Sequence, residues 1–599
     1  MATPSTRTYA DFTGVDFINE PSNVAINRSP DALNVWRDYR KEDVAIETRP
    51  GTKLIGQIGS DIKGIYVWSG SEAIVHSGKY LYKWSNFPNT PTVNTLTQLF
   101  STMNVNNRTS FNRFGDCLYI LDGTNYLKYD GTTLSDVATD SFIPTTTIGR
   151  SPSGGGERYQ DVNVLQPKRI NSFLADGTST TYSLDATDIT SVDEIKVNDT
   201  AVTTGYTVNT TAGTITFNTA PSAPAISGQD NVFITFTKEV SGYANRIKNC
   251  TKAVMFDDRL FFTGNPTYPN AIFHSELNNP SYISDLNYYE DGSTDSPIKD
   301  IEVGNNLLWV FKYKDQNNKN VFYHTKDFDN EQGSIYPCFE CNVEIGCCAK
   351  AINFNDDIVY LSRNGLEGII STELESRQII DHRSSLVDPV MVNLTDYTDA
   401  NMATWNGYLL ILANGRIFLA DSRGKYAYSN SFQYEWFYWS FNCNPTLLKE
   451  YDNRLFMGTS DGYIYELDGT NDNNEIIESY WTTPLDNFGY FNRLKTTNKR
   501  GGIAKVRLTQ GGVINIARKT NKKGDYTFTK RQYLKGFSFA QINFKEWRFK
   551  NAYQNYVVFK IKEKKFNEIS IKAYSNELDK PFALYSITLE AFVGGYIKK

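Results

Sequence analysis

Residues Gly458-Thr459-Ser460-Asp461-Gly462 read G-x-S-x-G. That is the pattern of a hydrolase elbow, in which a serine stands on a strained turn between a strand and a helix. Here "RLFM" precedes the motif and "YIYELDG" follows it, and the latter alternates like a strand. The motif is therefore expected to be a turn between strands, with Ser460 no nucleophile. The four histidines, His76, His274, His324 and His382, stand in no H-E-x-x-H or H-x-E pattern, and none pairs with a motif Ser or Cys. "GRSPSGGG" lacks the lysine of a phosphate-binding loop. "CFECNVEIGCC" gathers Cys338, Cys341, Cys347 and Cys348, and C-x-x-C with two further thiols can hold zinc. Adjacent Cys347 and Cys348 on a strand point to opposite faces, however, so buried reduced thiols are the expectation. "DGTNDNNE" at 468–475 has the composition of a calcium loop without its full pattern. "DLNYYEDGSTDSPIKD" clusters carboxylates, but no spacing marks a glycosidase pair. The residues predict no catalytic centre, no metal and no cofactor; the chain is not expected to be an enzyme.

The same hairpin that carries Ser460 recurs along the chain. "AIVHSGKYLYKW", "LYILDGTNYLKYDG", "LFFTGNPTYPNAIFHS", "LLWVFKYKDQNNKNVFYH", "IVYLSRNGLEGIIS" and "LLILANGRIFLADS" are each an apolar run, a turn and a second apolar or aromatic run. Polar pairs such as "GD", "DD", "ND" or "NG" precede most of them. Equivalent anchor positions are Ile74, Tyr119, Phe261, Trp309, Val359, Leu410 and Phe456, at steps of about 45, 142, 48, 50, 51 and 46 residues. A period of about 40–50 residues with several strands per unit is the mark of β-propeller blades. The predicted fold is all-β, a propeller of about six or seven blades, over residues 61–150 and 242–475.

The long step contains an insertion. "SPSGGGERYQ" (151–160) reads as a flexible Gly/Ser linker. Short Thr/Val/Ile strands split by Asp, Asn and Gly turns then predict a small Ig-like β-sandwich at 159–241. Residues 1–60 show little periodicity and read as an extended arm over a rim or a neighbour, with "SPDALN" able to open a short helix capped by Ser29. From 476 to 599 alternating strands return, rich in Lys and Arg, and predict a second, basic sandwich.

With 599 residues, 14% aromatics and 38 Tyr, the composition leans to half-buried pleated surfaces. Seven Cys form no disulfide framework, no apolar run is long enough to span a bilayer, and "MATPSTRTYADF" has no apolar signal core. Folding in a reducing cytoplasm, without membrane insertion, is expected. The net charge of −6 is split: residues 493–599 hold about 24 Lys+Arg against about 7 Asp+Glu, about +17, leaving about −23 for the rest. Arg518, Lys519, Lys522 and Lys523, around one turn, are the candidate docking patch, for nucleic acid or for an acidic protein surface such as the rest of a neighbouring copy.

The segment "INRSPDALNVWRDYRKEDVAIETRPGTKLIG" (26–56), with its S-P-D-A-L-N and R-P-G turns before the first blade, resembles the opening of bacteriophage virion proteins. Hairpins of the "RLFMGTSDGYIYELDG" kind recur there, and the inserted module resembles small sandwiches in phage tail proteins. The arrangement is similar to the tail-nozzle, or packaged-DNA-stabilisation, proteins of short-tailed phages, with the inserted sandwich and the basic terminal domain as departures from their plainest form. The resemblance implies a virion tail protein assembled in the host cytoplasm. Copies, about six, would form a ring around a conduit. That ring would extend the portal and adaptor, hold packaged double-stranded DNA and pass it at ejection. The family brings no catalytic residues. A receptor- or glycan-binding protein of the distal tail, facing the host cell surface through aromatics such as "SFQYEWFYWSF" (431–441), is the alternative, and a polysaccharide-degrading propeller enzyme the third reading.

Overall fold

A computed structural model describes residues 4–41, 44–314, 319–329, 333–341, 344–371, 378–428, 431–507, 512–533 and 555–597. The chain is all-β and of the β-propeller class. Among the described residues, seven four-stranded sheets lie at 62–100, 110–136, 252–290, 298–341, 347–382, 401–440 and 445–467, the last taking its fourth strand from Thr52–Gln57.

All seven anchors occupy one position, the third residue of the second strand of their sheet. The second strand is flanked by the first and third, so it reads as a nearly unbroken apolar run; Arg259–Thr263 and Tyr408–Ala413 are buried along their whole length. The turn before it explains the polar pairs. Asp257-Asp258, Asn305-Asn306, Asn355-Asp356, Asn406-Gly407 and Asp452-Asn453 all have positive φ at both positions. That is the geometry of a two-residue hairpin turn whose twist matches the strands, and Asn, Asp and Gly tolerate it best.

The chain divides into two compact units, and the division passes through the sheet at 62–100. The unit containing residues 98–346 holds the sheets at 110–136, 252–290 and 298–341. Tyr119, Leu121, Tyr126, Leu260, Phe262 and Phe273 pack between the first two of these. Phe256, Phe261, Ile301, Leu308, Val310 and Phe322 pack between the second and third. This unit also contains the inserted sandwich, a six-stranded sheet against a three-stranded one around Phe173, Tyr182, Ile195, Ile215, Ile234 and Phe236. Its first strand is Thr145–Arg150, so the sandwich opens earlier than the expected residue 159. The Gly/Ser stretch expected to be a flexible linker is instead a hydrogen-bonded loop inside the sandwich. Arg150 Nη1 donates to Gly155 O at 2.7 Å and Nη2 to Ser183 O at 3.0 Å, and the glycines supply positive φ for a tight return rather than freedom.

The other unit, Met1–Ser77, Lys83–Thr97 and Cys347–Lys599, corrects the reading of the N-terminal segment. It is no free arm. Pro4–Ala10 pairs with the final strand Ala583–Tyr596, Val35–Arg37 and Ile46–Thr48 extend the same sheet, and Ala32–Leu33 joins the opposing sheet through Ser479–Thr482. The terminal sandwich is thus built from both ends of the sequence. "SPDALN" is not helical either: Ser29 Oγ accepts from Asp31 N at 3.2 Å, a local turn that competes with helix capping.

The R-P-G turn is the joint of this unit. Arg49, fully buried, donates Nη1 and Nη2 to the two carboxylate oxygens of Asp472 at 2.9 and 2.6 Å. Its Nε donates to Asn34 Oδ1 at 3.0 Å, Nη1 also to Pro50 O at 2.8 Å, and Nη2 also to Ser440 O at 2.6 Å. The guanidinium lies 4.0 Å from the centre of the Phe441 ring. Gly51 must be glycine because a Cβ there would stand 2.0 Å from Asn471 O. Removing one partner of a buried pair strands the other charge, at a cost of about 3–5 kcal/mol. Arg49→Met is therefore expected to lower unfolding free energy by about that amount in urea titrations. Deleting residues 1–60 should yield an unfolded chain by circular dichroism, not a folded monomer that merely fails to assemble.

Candidate functional sites

The basic hairpin is formed by Val513–Thr520 and Lys523–Tyr533, antiparallel in the terminal sandwich. Lys523–Tyr533 is the outer strand of its five-stranded sheet among the described residues, and nearly all of it is exposed. The four candidate cations are not equivalent. Arg518 is half-buried and bound to Glu563, Nη2 to Oε1 at 2.9 Å, with Nη1 donating to Thr529 Oγ1 at 2.8 Å. Lys523 Nζ is 3.5 Å from the same Glu563 carboxylate. Lys519 lies over the Tyr526 ring at 5.8 Å. Lys522 is exposed at the turn. Arg518 and Lys523 therefore tie the hairpin to Glu563, which adjoins Lys564–Phe566 of the other sheet. Lys519, Lys522 and, farther along, Lys530 have no ion-pair partner among the described residues. Exposed Phe528 and Tyr533 sit on the same strand, and exposed Tyr556 and Val558 on Asn555–Phe559, the last strand of the other sheet's main path.

Ile74, Tyr119, Phe261, Trp309, Val359, Leu410 and Phe456 are all buried, at 7% exposure or less. They are core residues of their sheets and offer no surface to a ligand. Ser460 lies in the turn between Arg454–Thr459 and Tyr463–Leu467, strand on both sides, and its Oγ donates to Asp461 Oδ1 at 3.1 Å. In "DGTNDNNE" both oxygens of Asp472 are taken by Arg49, while Thr470 and Asn471 donate to Asp579 Oδ1, both at 2.7 Å. That leaves the loop a structural corner. All seven cysteines are free thiols. Cys338 and Cys341, three apart on one strand, point to opposite faces, one exposed and one buried. Cys347 and Cys348 are both buried on Cys347–Phe354.

The aromatic stretch offered for sugar stacking faces inward. Tyr434, Trp436, Phe437 and Trp439 have no exposed surface. Trp436 Nε1 donates to Arg383 O and Trp439 Nε1 to Val35 O, each at 3.1 Å. Trp36 of the N-terminal segment stacks on Trp405 at 5.3 Å and meets Trp439 edge-on at 5.8 Å. These rings bind the N-terminal segment to the sheet at 401–440.

Of the histidines, His382 has the strongest electrostatic setting. Nδ1 lies 3.1 Å from Glu367 Oε1 and Nε2 lies 2.6 Å from Asp388 Oδ2. Ser362 Oγ donates to Glu367 Oε1 at 3.0 Å and Ser384 Oγ to Asp388 Oδ1 at 2.5 Å, which fixes both carboxylates. Burial alone would push the imidazole pKa down; the hydrogen bonds to Asp388 and Glu367 outweigh it and push it up to about 10. His274 shows the opposite outcome: burial without a carboxylate partner pushes it down to about 4. Sequence patterns miss the clamp because its members come from three places, Glu367, His382 and Asp388, with no motif spacing.

No known protein family matches this sequence, and no characterised protein matches it. Among solved structures it is similar to BamB from Moraxella catarrhalis, at 10% identity over 73% of this chain and 89% of that one, with a TM-score of 0.28. It is also similar to PorZ of the type-IX secretion system of Porphyromonas gingivalis, at 11% identity over 86% and 82%, TM-score 0.23. A third is an exo-β-1,3-galactanase from Phanerochaete chrysosporium, at 9% identity over 56% and 94%, TM-score 0.19.

The His382 clamp gives a signed pH dependence. Its folded pKa lies above the ordinary 6.5, so its contribution is complete below about 6.5 and is lost as pH rises towards about 10. His382→Gln should therefore destabilise the protein clearly at pH 6.5 and much less at pH 10, read from urea midpoints across that range.

Proposed function

We propose that the chain is a structural protein of a bacteriophage tail, acting as a ring of identical copies around the DNA conduit rather than as a catalyst. The observation that carries the reading is the charge split set on a sheet edge that is unpaired among the described residues. The strand Lys523–Tyr533 presents cations and exposed Phe528 and Tyr533 on the outer edge of its sheet. The sequence outside 493–599 carries a net charge of about −23. A basic edge that meets an acidic surface of the next copy makes a heterologous, head-to-tail contact, which closes into a ring when the rotation between copies closes. An acidic to neutral wall does not grip phosphates, so duplex DNA can slide past it.

The resemblance of 26–56 to phage tail proteins supports the same reading, since the residues that carry it, Asn34 and the R-P-G turn, serve as a structural joint in this chain. In this role the portal and adaptor side is the neighbour and DNA the transient cargo. The inward-facing rings of 434–439 leave the glycan-binding alternative without its main sequence feature.

The reading is tested by negative-stain electron microscopy of the purified protein and by immunogold labelling of phage particles. Rings, and label at the tail, are expected; monodisperse monomers, or sugar released from host envelope material, would refute it. Lys519→Glu/Lys522→Glu/Lys530→Glu, which spares the Glu563 pairs, should disperse the rings with the melting temperature unchanged. Arg518→Glu should lower the melting temperature as well.

A further inference from the structure

A cluster of three donor types lies between two blade sheets of the unit containing residues 98–346. His324 ends the strand Val321–His324, Cys338 begins Cys338–Cys341, and the two are direct cross-strand partners. Asp291 follows Tyr288–Glu290 on the preceding sheet, its N bonded to Asn270 O at 2.9 Å and its carbonyl receiving Lys312 Nζ at 2.9 Å. One carboxylate oxygen, one imidazole nitrogen and the Cys338 Sγ all fall within 4.8 Å of one another.

The orientation of the imidazole is decided by its other nitrogen. Nδ1 lies 2.9 Å from Tyr336 O, a carbonyl that can only accept, so Nδ1 carries the hydrogen. Nε2 is then turned to Asp291 Oδ2 at 2.9 Å. A backbone carbonyl that holds Nδ1–H fixes the ring with Nε2 turned to the other donors, the orientation a metal-ligating histidine needs. A second observation points the same way. Asp291 is 1% exposed, yet no nitrogen or oxygen donor reaches its Oδ1, and the Cys338 thiol is the group beside its carboxylate. A buried carboxylate oxygen facing a thiol and an imidazole asks for a cation.

We propose that Asp291, His324 and Cys338 bind one zinc ion, with water at the fourth position on the exposed Cys338 side. Zinc takes oxygen and nitrogen at about 2.0 Å and sulfur at about 2.3 Å, so three ligand atoms around one ion lie within about 4.5 Å of each other. In a tetrahedral site the ligand atoms stand about 3.3–3.7 Å apart, so binding draws the donors in from within 4.8 Å and opens the 2.9 Å Nε2–Oδ2 contact. A thiolate with an imidazole selects zinc over calcium or magnesium, which favour all-oxygen sets. The thiolate and carboxylate charges balance the dication; two protons leave to solvent on binding, that of the thiol and the one Nε2 shares with Asp291. The ion would clasp the sheet at 252–290 to the sheet at 298–341, a link the hairpin repeat alone does not supply.

The test uses the full chain, stripped with chelator and titrated with zinc chloride. One zinc per chain is expected, with a rise in melting temperature. Cobalt(II) in its place should give a thiolate-to-cobalt charge-transfer band. Cys338→Ser and Asp291→Asn should each weaken zinc binding by more than about tenfold, and Cys338→Ser should abolish the band. Cys117→Ser, on another sheet, should change neither. Cys338 is exposed, so its substitution leaves the fold intact by circular dichroism. Absence of stoichiometric zinc in the wild-type chain, or a band that survives Cys338→Ser, overturns the proposal.

Discussion

The unit of both chain ends depends on one buried ion pair. Arg49 reaches Asp472, Asn34, Ser440 and Pro50 with its guanidinium and rests on Phe441. Asn34 in turn accepts from Ser440 N at 2.8 Å and donates Nδ2 to Glu478 O at 2.8 Å. Through two side chains, the N-terminal segment, the sheet at 401–440, the corner at 468–475 and the start of the terminal sandwich are bonded to one another. An arginine is needed because only its planar fork offers five donors in fixed directions. A lysine could meet the charge of Asp472 but not the geometry of the rest. The aromatic cluster of Trp36, Trp405 and Trp439 extends the same joint with apolar contact.

How much of this was legible in the sequence follows from the kind of signal each part leaves. The blades were legible because their second strands are buried on both faces and are preceded by turns that require Asn, Asp or Gly. Apolar run and turn chemistry then recur together, and Ile74, Tyr119 and Val359 fall at one structural position despite differing in size and shape. The inserted sandwich was legible for the same reason, though its first strand, Thr145–Arg150, was hidden by the glycines that follow it. The N-terminal segment was not legible. Its strands at 28–37 and 46–48 are two or three residues long, too short to show a period, and the partners that tie Ala32–Leu33 and Ile46–Thr48 into the two sheets lie more than four hundred residues away. Asp291, His324 and Cys338 were individually visible, but no spacing relates them. Only strand register sets His324 opposite Cys338, and only the packing of one sheet on the next brings in Asp291.

The charge distribution reads differently once bonds are assigned. In the sequence the turn at 518–523 is a block of four cations. In the structure Glu563 takes up two of them, so the surface available to a partner shifts along the strand towards Lys530. The same distinction separates the histidines. His382 holds a proton because two anchored carboxylates face it, whereas His274, more deeply buried, has no carboxylate hydrogen bond, only the Ser275 carbonyl and ring contacts, and burial makes it shed its proton early.

Because Thr52–Gln57 completes the sheet whose other strands end at Leu467, the ribosome has to release about 400 further residues before that strand finds its place. Throughout that interval the nascent chain exposes an unmatched edge, open to the wrong neighbour on a crowded polysome. The alternation of Lys53 and Gln57 with apolar residues in this strand is a modest guard during the wait. The pairing of Ala583–Tyr596 onto Pro4–Ala10 waits longer still, because those two strands lie more than five hundred residues apart.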